Sequence, residues 1–200
     1  MRIFIIDTEY LSWKKDEWRN NNLRRLLNPP EIIQIYLKEL FINKKNDCMF
    51  YIRPIFYKKY PHRISKLTKI KKSFLDKNGI DFITAYKKIK NFLPNKSLII
   101  TNGNDFKILE RNIEIHKLMK SKKVIYFIDL NIILKTTKLF AGFRDKFISS
   151  TDIKKKINLS KISNHNAIND VEIFNKTLIK LRCNPAKIIN LKKNFKFFSL

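Results

Sequence analysis

Glycine, proline and cysteine are all scarce in this sequence. The 200 residues include three Gly and six Pro, which argues against a long flexible linker or a low-complexity segment. The two cysteines, Cys48 and Cys183, stand alone, with no C-x-x-C motif and no nearby His. They predict free thiols in a reducing compartment rather than a disulfide framework.

Long apolar runs are absent as well. No stretch approaches the roughly 18 apolar residues that a membrane span needs. The opening run is too short for a signal peptide, because Asp7 interrupts it. With 44% hydrophobic and 30% charged residues, the composition is typical of a globular domain. We therefore expect a soluble, cytoplasmic protein.

Acidic residues are few beside basic ones. The chain has 17 Asp and Glu against 43 Lys and Arg, which gives a formal net charge of +26. A field of this sign attracts polyanions, and nucleic acid is the usual one. The sequence is also rich in Lys, Asn and Ile, and a genome-wide codon bias towards A and T would place Lys at any tolerant surface position. The charge supports a nucleic-acid partner without proving one.

The first stretch of the chain is an apolar run that ends in two carboxylates. Residues 3–6 read Ile-Phe-Ile-Ile, which is typical of a strand buried on both faces of a sheet. Asp7 and Glu9 follow two positions apart, so an extended chain points both side chains to one face. Such neighbours repel unless a cation lies between them, and oxygen ligands suit Mg²⁺ or Mn²⁺. A strand that simply ends in polar loop residues would show the same triplet.

Hydrophobic periodicity predicts the remaining elements. Further strands are expected at residues 31–37, 48–53, 97–101 and 124–128, and helices at 81–93, 105–119, 129–139 and 164–181. Residues 141–163 are interpreted as a connection. The first three strands are joined without helices, whereas the later ones alternate with helices. We therefore expect an α/β fold with a mixed five-stranded sheet, three strands antiparallel and two parallel, flanked by helices.

Two aromatic, basic segments lie outside this pattern. The loop after the first strand carries Trp13 and Trp18 among arginines; it either stacks bases and holds phosphates or packs onto the domain. Residues 185–200 form a tail with Phe195, Phe197 and Phe198. We expect a domain at residues 1–184, and a tail that is either a short docked helix or a partner-binding arm.

Further acids lie at the ends of other predicted elements. Asp105 opens a helix directly after a turn at residues 102–104. His165 and Asp170 lie at the start of the last helix, so His165 can lean over a site that Asp170 faces from lower down. A His near a helix start is often a cap or a surface residue. An Asp that faces a core is costly without a cation.

These residues form three ordered motifs. They are Asp7-Thr8-Glu9 (D-x-E), Asn102-Gly103-Asn104-Asp105 at a helix start, and His165 to Asp170 (H-x-A-x-x-D) with Ala167 in place. In this order and context the set resembles the DnaQ-like (DEDDh) 3′–5′ exonuclease family, of the ribonuclease H-like superfamily. The resemblance covers residues 1–181. Tyr36-Leu37 stands where many members have Gly-Ala, and Asn104 stands where an aromatic residue is frequent; both changes could alter the pocket.

The resemblance implies a two-metal phosphodiester hydrolase. Asp7, Glu9, Asp105 and Asp170 would hold two Mg²⁺ or Mn²⁺ ions roughly 3.5–4 Å apart. His165 would act as general base on the attacking water. The enzyme would release nucleoside 5′-monophosphates from the 3′ ends of single-stranded RNA or DNA. The candidate contacts to the substrate are Thr8, Tyr10, Leu11, Trp13 and Asn102.

Two other functions fit parts of this pattern. A non-catalytic nucleic-acid-binding module on the same fold would keep the basic surface but lose metal ligands, whereas all five motif residues are present here. A different two-metal nuclease on a ribonuclease H-like fold would cut internally. The sequence leaves open a homodimer or a polymerase partner, and also the choice between RNA and DNA.

Overall fold

A mixed six-stranded β-sheet forms the centre of the fold. The structure is a computed structural model that describes residues 1–12, 29–42, 44–57, 60–119, 122–159, 162 and 165–200. Within these ranges the strands are β1 (Ile3–Leu11), β2 (Glu31–Glu39), β3 (Asp47–Tyr51), β4 (Ser97–Thr101), β5 (Val124–Asp129) and β6 (Lys196–Ser199). Their order across the sheet is β3-β2-β1-β4-β5-β6. β4 and β5 run parallel to β1, and β2, β3 and β6 run antiparallel to the neighbour with which each pairs.

β1 lies inside the sheet because its side chains are apolar on both faces. Ile3 and Ile5 pack into one hydrophobic cluster, and Phe4 and Ile6 pack into another on the opposite face. Alternate residues of a strand share a face. The carboxylates at positions 7 and 9 therefore continue the face of Ile3 and Ile5.

Helices cover both faces of the sheet. In the described ranges the α-helices are α1 (His62–Thr68), α2 (Lys72–Asn78), α3 (Phe82–Phe92), α4 (Asp105–Ile115), α5 (Leu130–Lys135), α6 (Ser150–Ile157), α7 (Ala167–Lys180) and α8 (Pro185–Ile189), with 3-10 helices at Lys138–Phe143 and Lys192–Asn194. α5, α6, α7 and α8 pack on the face of Ile3 and Ile5, and α3 and α4 pack on the other. α1 and α2 join a smaller cluster near the end of β1. The expected α/β architecture, with an antiparallel half and a parallel half, is confirmed.

The sheet has six strands rather than the five predicted, and the sixth comes from the tail. Pro185–Ile189 is helical, as a docked helix would be, but Lys196–Ser199 then pairs antiparallel with β5. Phe198 lies opposite Ile125 and is buried with the cluster of Phe4 and Ile6. A four-residue strand gives too short an alternation to stand out in the sequence. The edge of β5 decides the conformation of this segment, because its unpaired backbone groups accept another strand.

A second difference lies in residues 141–163, which contain α6 instead of an uninterrupted connection. The helix begins with a capping box in which the Ser149 side chain accepts from the backbone of Asp152 and the Asp152 side chain accepts from the backbone of Ser149. Only Ile153 and Ile157 are buried on it. Three consecutive lysines in the same segment obscure that narrow apolar face in the sequence.

Among the described helices, none combines the length and the apolar character that crossing a membrane requires.

Candidate active site

The carboxyl ends of the parallel strands meet at one edge of the sheet, and a cavity opens there. β1 contributes Asp7 and Glu9, the turn after β4 leads to Asp105, and β5 ends at Asp129. All four side chains line a cavity of about 670 Å³. The edge at which parallel strands end is the usual place for a site in open α/β sheets. The cavity is therefore the candidate active site.

Three carboxylates from two distant parts of the chain converge in this cavity. Asp7, Glu9 and Asp170 each place one oxygen so that the three oxygens lie within 4.8 Å of one another. The first two are adjacent because they alternate along β1, and Asp170 reaches them from the first turn of α7. That helix packs through Phe174 against the same face of the sheet. Packing of α7 on β1 thus builds the cluster.

Asp105 is held at the same edge by hydrogen bonds from β1 and from its own turn. Thr8 donates twice to Asp105 Oδ1, from Oγ1 at 2.6 Å and from the backbone N–H at 3.2 Å. The backbone N–H of Asn102 donates to Asp105 Oδ2 at 3.3 Å. The middle residue of the Asp7-Thr8-Glu9 motif therefore positions the aspartate of the second motif.

His165 and Asp170 are linked directly. The backbone N–H of His165 donates to Asp170 Oδ2 at 3.0 Å. His165 lies outside the helix, because α7 begins at Ala167 with Asn166 as its cap, two or three residues later than predicted. Its φ of 62° is in the left-handed region, which non-glycine residues rarely adopt. Its side chain is exposed and lines the cavity.

Burial and mutual repulsion make these carboxyl groups hard to ionise. Burial, followed by the charges of Asp105, Asp170 and Glu9, raises the pKa of Asp7 well above its ordinary value. Burial and the same kind of repulsion raise the pKa of Glu9 to about 8. Burial also raises the pKa of Asp105, to about 7, even though hydrogen bonds from Thr8 and Asn102 oppose the shift. Such raised values mark a cluster that lacks compensating positive charge.

The donor set fits hard divalent cations. The four acids supply oxygen ligands only, which Mg²⁺ and Mn²⁺ prefer over softer metals. Asp170 Oδ1 is buried and has no hydrogen-bond partner among the residues that the structure describes. A buried acceptor without a partner is costly, and a bound cation would satisfy it. This orphaned oxygen is the strongest local indication that the cluster binds metal.

Gln34 supports the site from outside the cavity, and the three motifs do not indicate it. It is fully buried on β2, where it lies directly opposite Glu9. Its Oε1 accepts a hydrogen bond of 3.0 Å from the backbone N–H of Ala167, the first residue of α7. Gln34 thus ties the helix that carries Asp170 to the sheet. A lone polar residue inside the apolar run at residues 31–37 was the available signal.

We expect Gln34→Leu to destabilise the protein by roughly 1–3 kcal/mol, because the buried N–H of Ala167 loses its acceptor. Thermal unfolding should also show a smaller rise in melting temperature on addition of Mn²⁺, since the helix start that positions Asp170 is released. Gln34→Glu separates the two effects, because it keeps an acceptor oxygen for Ala167 but adds a buried carboxyl group opposite Glu9; it should be destabilised in EDTA and, unlike the Leu variant, keep a large Mn²⁺ response. A Leu variant with the melting temperature and Mn²⁺ response of the wild type would contradict this role.

The predicted substrate contacts fall in three places. Thr8, Tyr10 and Asn102 line the cavity. Leu11 does not line it: its side chain is 0% exposed and packs with Ile33. Residues of α1 and α2, Ile64 and Leu75, share this cluster and cover Leu11. Trp13 and the rest of the aromatic loop at residues 13–28 lie outside the described residues.

Phe147 is a cavity residue that the motifs did not indicate. Its ring is 56% exposed and lies at the cavity. Gly103 adopts a φ of 72°, and a Cβ at this position would lie 3.0 Å from Phe147 Cζ. The glycine in the turn before Asp105 therefore serves both the backbone conformation and the close approach of this ring.

The chain matches a known protein family along most of its length. A family model described as RNase_T, Exonuclease, matches residues 4–178. The chain belongs to the RNase_T exonuclease family. The resemblance to DnaQ-like exonucleases seen in the sequence is thereby confirmed. A search of curated proteins found no match to this family member.

Solved exonuclease structures share the fold of this RNase_T family member. The nuclease domain of 3′hExo, a DEDDh family member bound to rAMP, has a TM-score of 0.71 and 16% identity, with 99% of this chain and 96% of that chain covered. Cell-death related nuclease 4 has a TM-score of 0.68 and 16% identity, with 95% of this chain and 64% of that chain covered. E. coli Exonuclease I in complex with a dA16 oligonucleotide has a TM-score of 0.61 and 15% identity, with 96% of this chain and 43% of that chain covered. The chain thus spans less than two thirds of the last two proteins, and the likeness at these identities shows the fold.

Proposed function

We propose that this RNase_T family protein is a metal-dependent 3′–5′ exonuclease of the DEDDh type. It would hydrolyse single-stranded RNA or DNA from the 3′ end and release nucleoside 5′-monophosphates. The observation that supports this most is the convergence of Asp7, Glu9 and Asp170 within 4.8 Å of one another. Asp105 and His165 line the same cavity. The five residues implied by the family resemblance thus lie together.

The four acids would hold two Mg²⁺ or Mn²⁺ ions. Bound there, the ions would activate the attacking water and neutralise charge that develops on the leaving 3′ oxygen. The chain itself contributes the alignment of the ligands. Thr8 fixes one oxygen of Asp105, and the His165 N–H fixes Oδ2 of Asp170.

His165 would serve as the general base. Its backbone is committed to Asp170, and its exposed ring at the cavity is free to take a proton from the attacking water. The left-handed conformation costs on the order of 1 kcal/mol and persists only where the surroundings enforce it. The bond to Asp170 is such a constraint, so the base and a metal ligand are positioned together.

The cavity walls would receive the 3′-terminal nucleotide. Thr8, Tyr10 and Asn102 are the candidate contacts that line it. The exposed ring of Phe147 offers a flat surface on which a base can stack. These contacts are compatible with a ribose or a deoxyribose.

The decisive test uses 5′-labelled single-stranded RNA and DNA oligonucleotides of one sequence, each incubated with Mg²⁺, with Mn²⁺ and with EDTA. We expect a ladder of products, each one nucleotide shorter, that depends on metal. His165→Ala should slow the reaction by roughly 10²-fold, as loss of a general base typically does, while leaving the product pattern unchanged. The faster of the two polymers then identifies the substrate class.

His62→Ala is the matched control, because this histidine is exposed and does not line the cavity. Its rate should equal that of the wild type. Binding without cleavage under every metal condition would contradict the enzyme and favour a nucleic-acid-binding module. Internal fragments instead of a ladder would contradict the exonuclease and favour an endonuclease.

A further inference from the structure

The tail strand β6 carries a lysine into the candidate active site. Lys196 is the first residue of β6 and lies opposite Phe127 in β5. Because β6 runs antiparallel to β5, its beginning lies beside the carboxyl end of β5, which is the edge that carries the site. Lys196 accordingly lines the same cavity as Asp105 and Asp129.

Lys196 is anchored by the strand that carries it. Phe198 is buried in the core opposite Ile125. Leu200 is fully buried, and its backbone N–H donates to the carbonyl oxygen of Lys123 at 3.0 Å. The Nζ of Lys196 lies 5.7 Å from the centroid of the Phe106 ring in α4. The charge at position 196 is therefore held at the cavity by a packed element.

A second lysine lies on the same wall. Lys107 follows Asp105 by two residues in α4 and also lines the cavity. Among the residues described in the structure, neither Lys107 nor Lys196 forms an ion pair with a carboxylate. The wall built from α4 and β6 thus presents two ammonium groups that form no ion pair with a carboxylate of the described residues. α1 also lines the cavity, and among the described residues its cation there is Arg63.

We propose that Lys107 and Lys196 bind backbone phosphates of the substrate strand upstream of its 3′-terminal nucleotide. The inference rests on the proposed function, which places the scissile phosphate at the carboxylate cluster. A polynucleotide that leaves this cluster carries a phosphate on every nucleotide, and it has to cross a wall of the cavity. The wall with two unpaired cations is the favourable exit, because ammonium groups bind phosphates as point charges.

The test compares a long single-stranded oligonucleotide with a substrate that has no upstream phosphate, the p-nitrophenyl ester of a nucleoside 5′-monophosphate. Lys107→Ala and Lys196→Ala should each lower the ratio of kcat/KM for the long substrate to kcat/KM for the ester by roughly five- to ten-fold. Lys192→Ala is the matched control, since Lys192 is exposed on the same tail but does not line the cavity. Its ratio should stay at the wild-type value.

Binding provides an independent measurement. Anisotropy of a labelled oligonucleotide in EDTA, across a series of KCl concentrations, gives the slope of log Kd against log salt. Replacing a lysine that contacts a phosphate should reduce the magnitude of this slope by about 0.7, the value expected per phosphate contact on a single strand. Lys192→Ala should leave the slope unchanged.

The outcomes separate this inference from the proposed function. An equal loss on both substrates, or an equal loss in Lys192→Ala, would overturn the inference and assign the lysines to general charge compensation. If the wild-type protein hydrolyses neither substrate, the proposed function fails. The salt slopes measured in EDTA then still decide whether Lys107 and Lys196 contact phosphates.

Discussion

Asp7→Asn should abolish most nuclease activity and yet stabilise the metal-free protein. Charge stabilisation by bound metal ions is worth several kcal/mol, and 1.36 kcal/mol corresponds to a factor of ten in rate, so we expect a loss of roughly 10³-fold or more. The same substitution removes a buried carboxyl group whose ionisation is opposed by burial and by three other carboxylates. At pH 8 without metal, the variant should therefore melt at a higher temperature than the wild type.

Two measurements check this pair of effects. The ladder assay gives the activity, and thermal unfolding in EDTA and in Mn²⁺ gives the stability. Mn²⁺ should raise the melting temperature of the wild type far more than that of Asp7→Asn. Asp145→Asn is the matched control, because Asp145 is exposed and does not line the cavity; it should behave as wild type in both. A lower melting temperature of Asp7→Asn than of the wild type in EDTA would contradict the mutual repulsion of the buried carboxyl groups.

The metal-free protein should lose stability as the pH rises from about 5 to about 8. The pKa of Glu9 is raised from 4.5 to about 8 in the folded state, with burial as the main cause. Between these values the unfolded chain releases the proton while the folded chain retains it, so the folded state binds more protons and stability falls with pH. One pKa unit corresponds to 1.36 kcal/mol. After allowance for the interaction with neighbouring acids, we expect a total loss on the order of 3 kcal/mol.

For a protein of this length, that loss corresponds to a fall in melting temperature of about 6–12 °C. Melting curves in EDTA at several pH values measure it directly, and saturating Mn²⁺ should flatten the profile because the cation replaces the proton as the partner of the carboxylates. Glu9→Gln should remove part of the slope. A metal-free protein equally stable at pH 5.5 and pH 8.5 would contradict the raised pKa values of this cluster.

The central part of the site follows from strand geometry and could be predicted. Alternation along β1 places Asp7 and Glu9 on one face, and parallel strands bring their carboxyl ends to one edge, which gathers Asp105. The motif spacing also identified His165 and Asp170. The backbone conformation of the third motif was harder to predict from the sequence. α7 begins only at Ala167, and the left-handed backbone of His165 accompanies a hydrogen bond to Asp170, which hydrophobic periodicity does not encode.

The remaining contacts depend on tertiary structure. Gln34 is significant only because β2 places it opposite Glu9 and beneath the start of α7. Leu11 reads as a continuation of the site, but α1 and α2 cover it in the smaller hydrophobic cluster. The tail reads as a helix or an arm, yet the open edge of β5 makes part of it a strand. Each difference arises from a partner segment far away in the sequence.

The strand β6 has two structural roles in this protein. It replaces β5 as the outer strand of the sheet, and a short edge strand that carries a lysine disfavours edge-to-edge association. It also delivers Lys196 to the mouth of the cavity. The four residues of β6 therefore combine a protected sheet edge with the proposed phosphate contact of Lys196. A fusion partner or a stretch of altered sequence that disturbs Lys196–Ser199 would change the colloidal behaviour of the protein and the shape of its active site together.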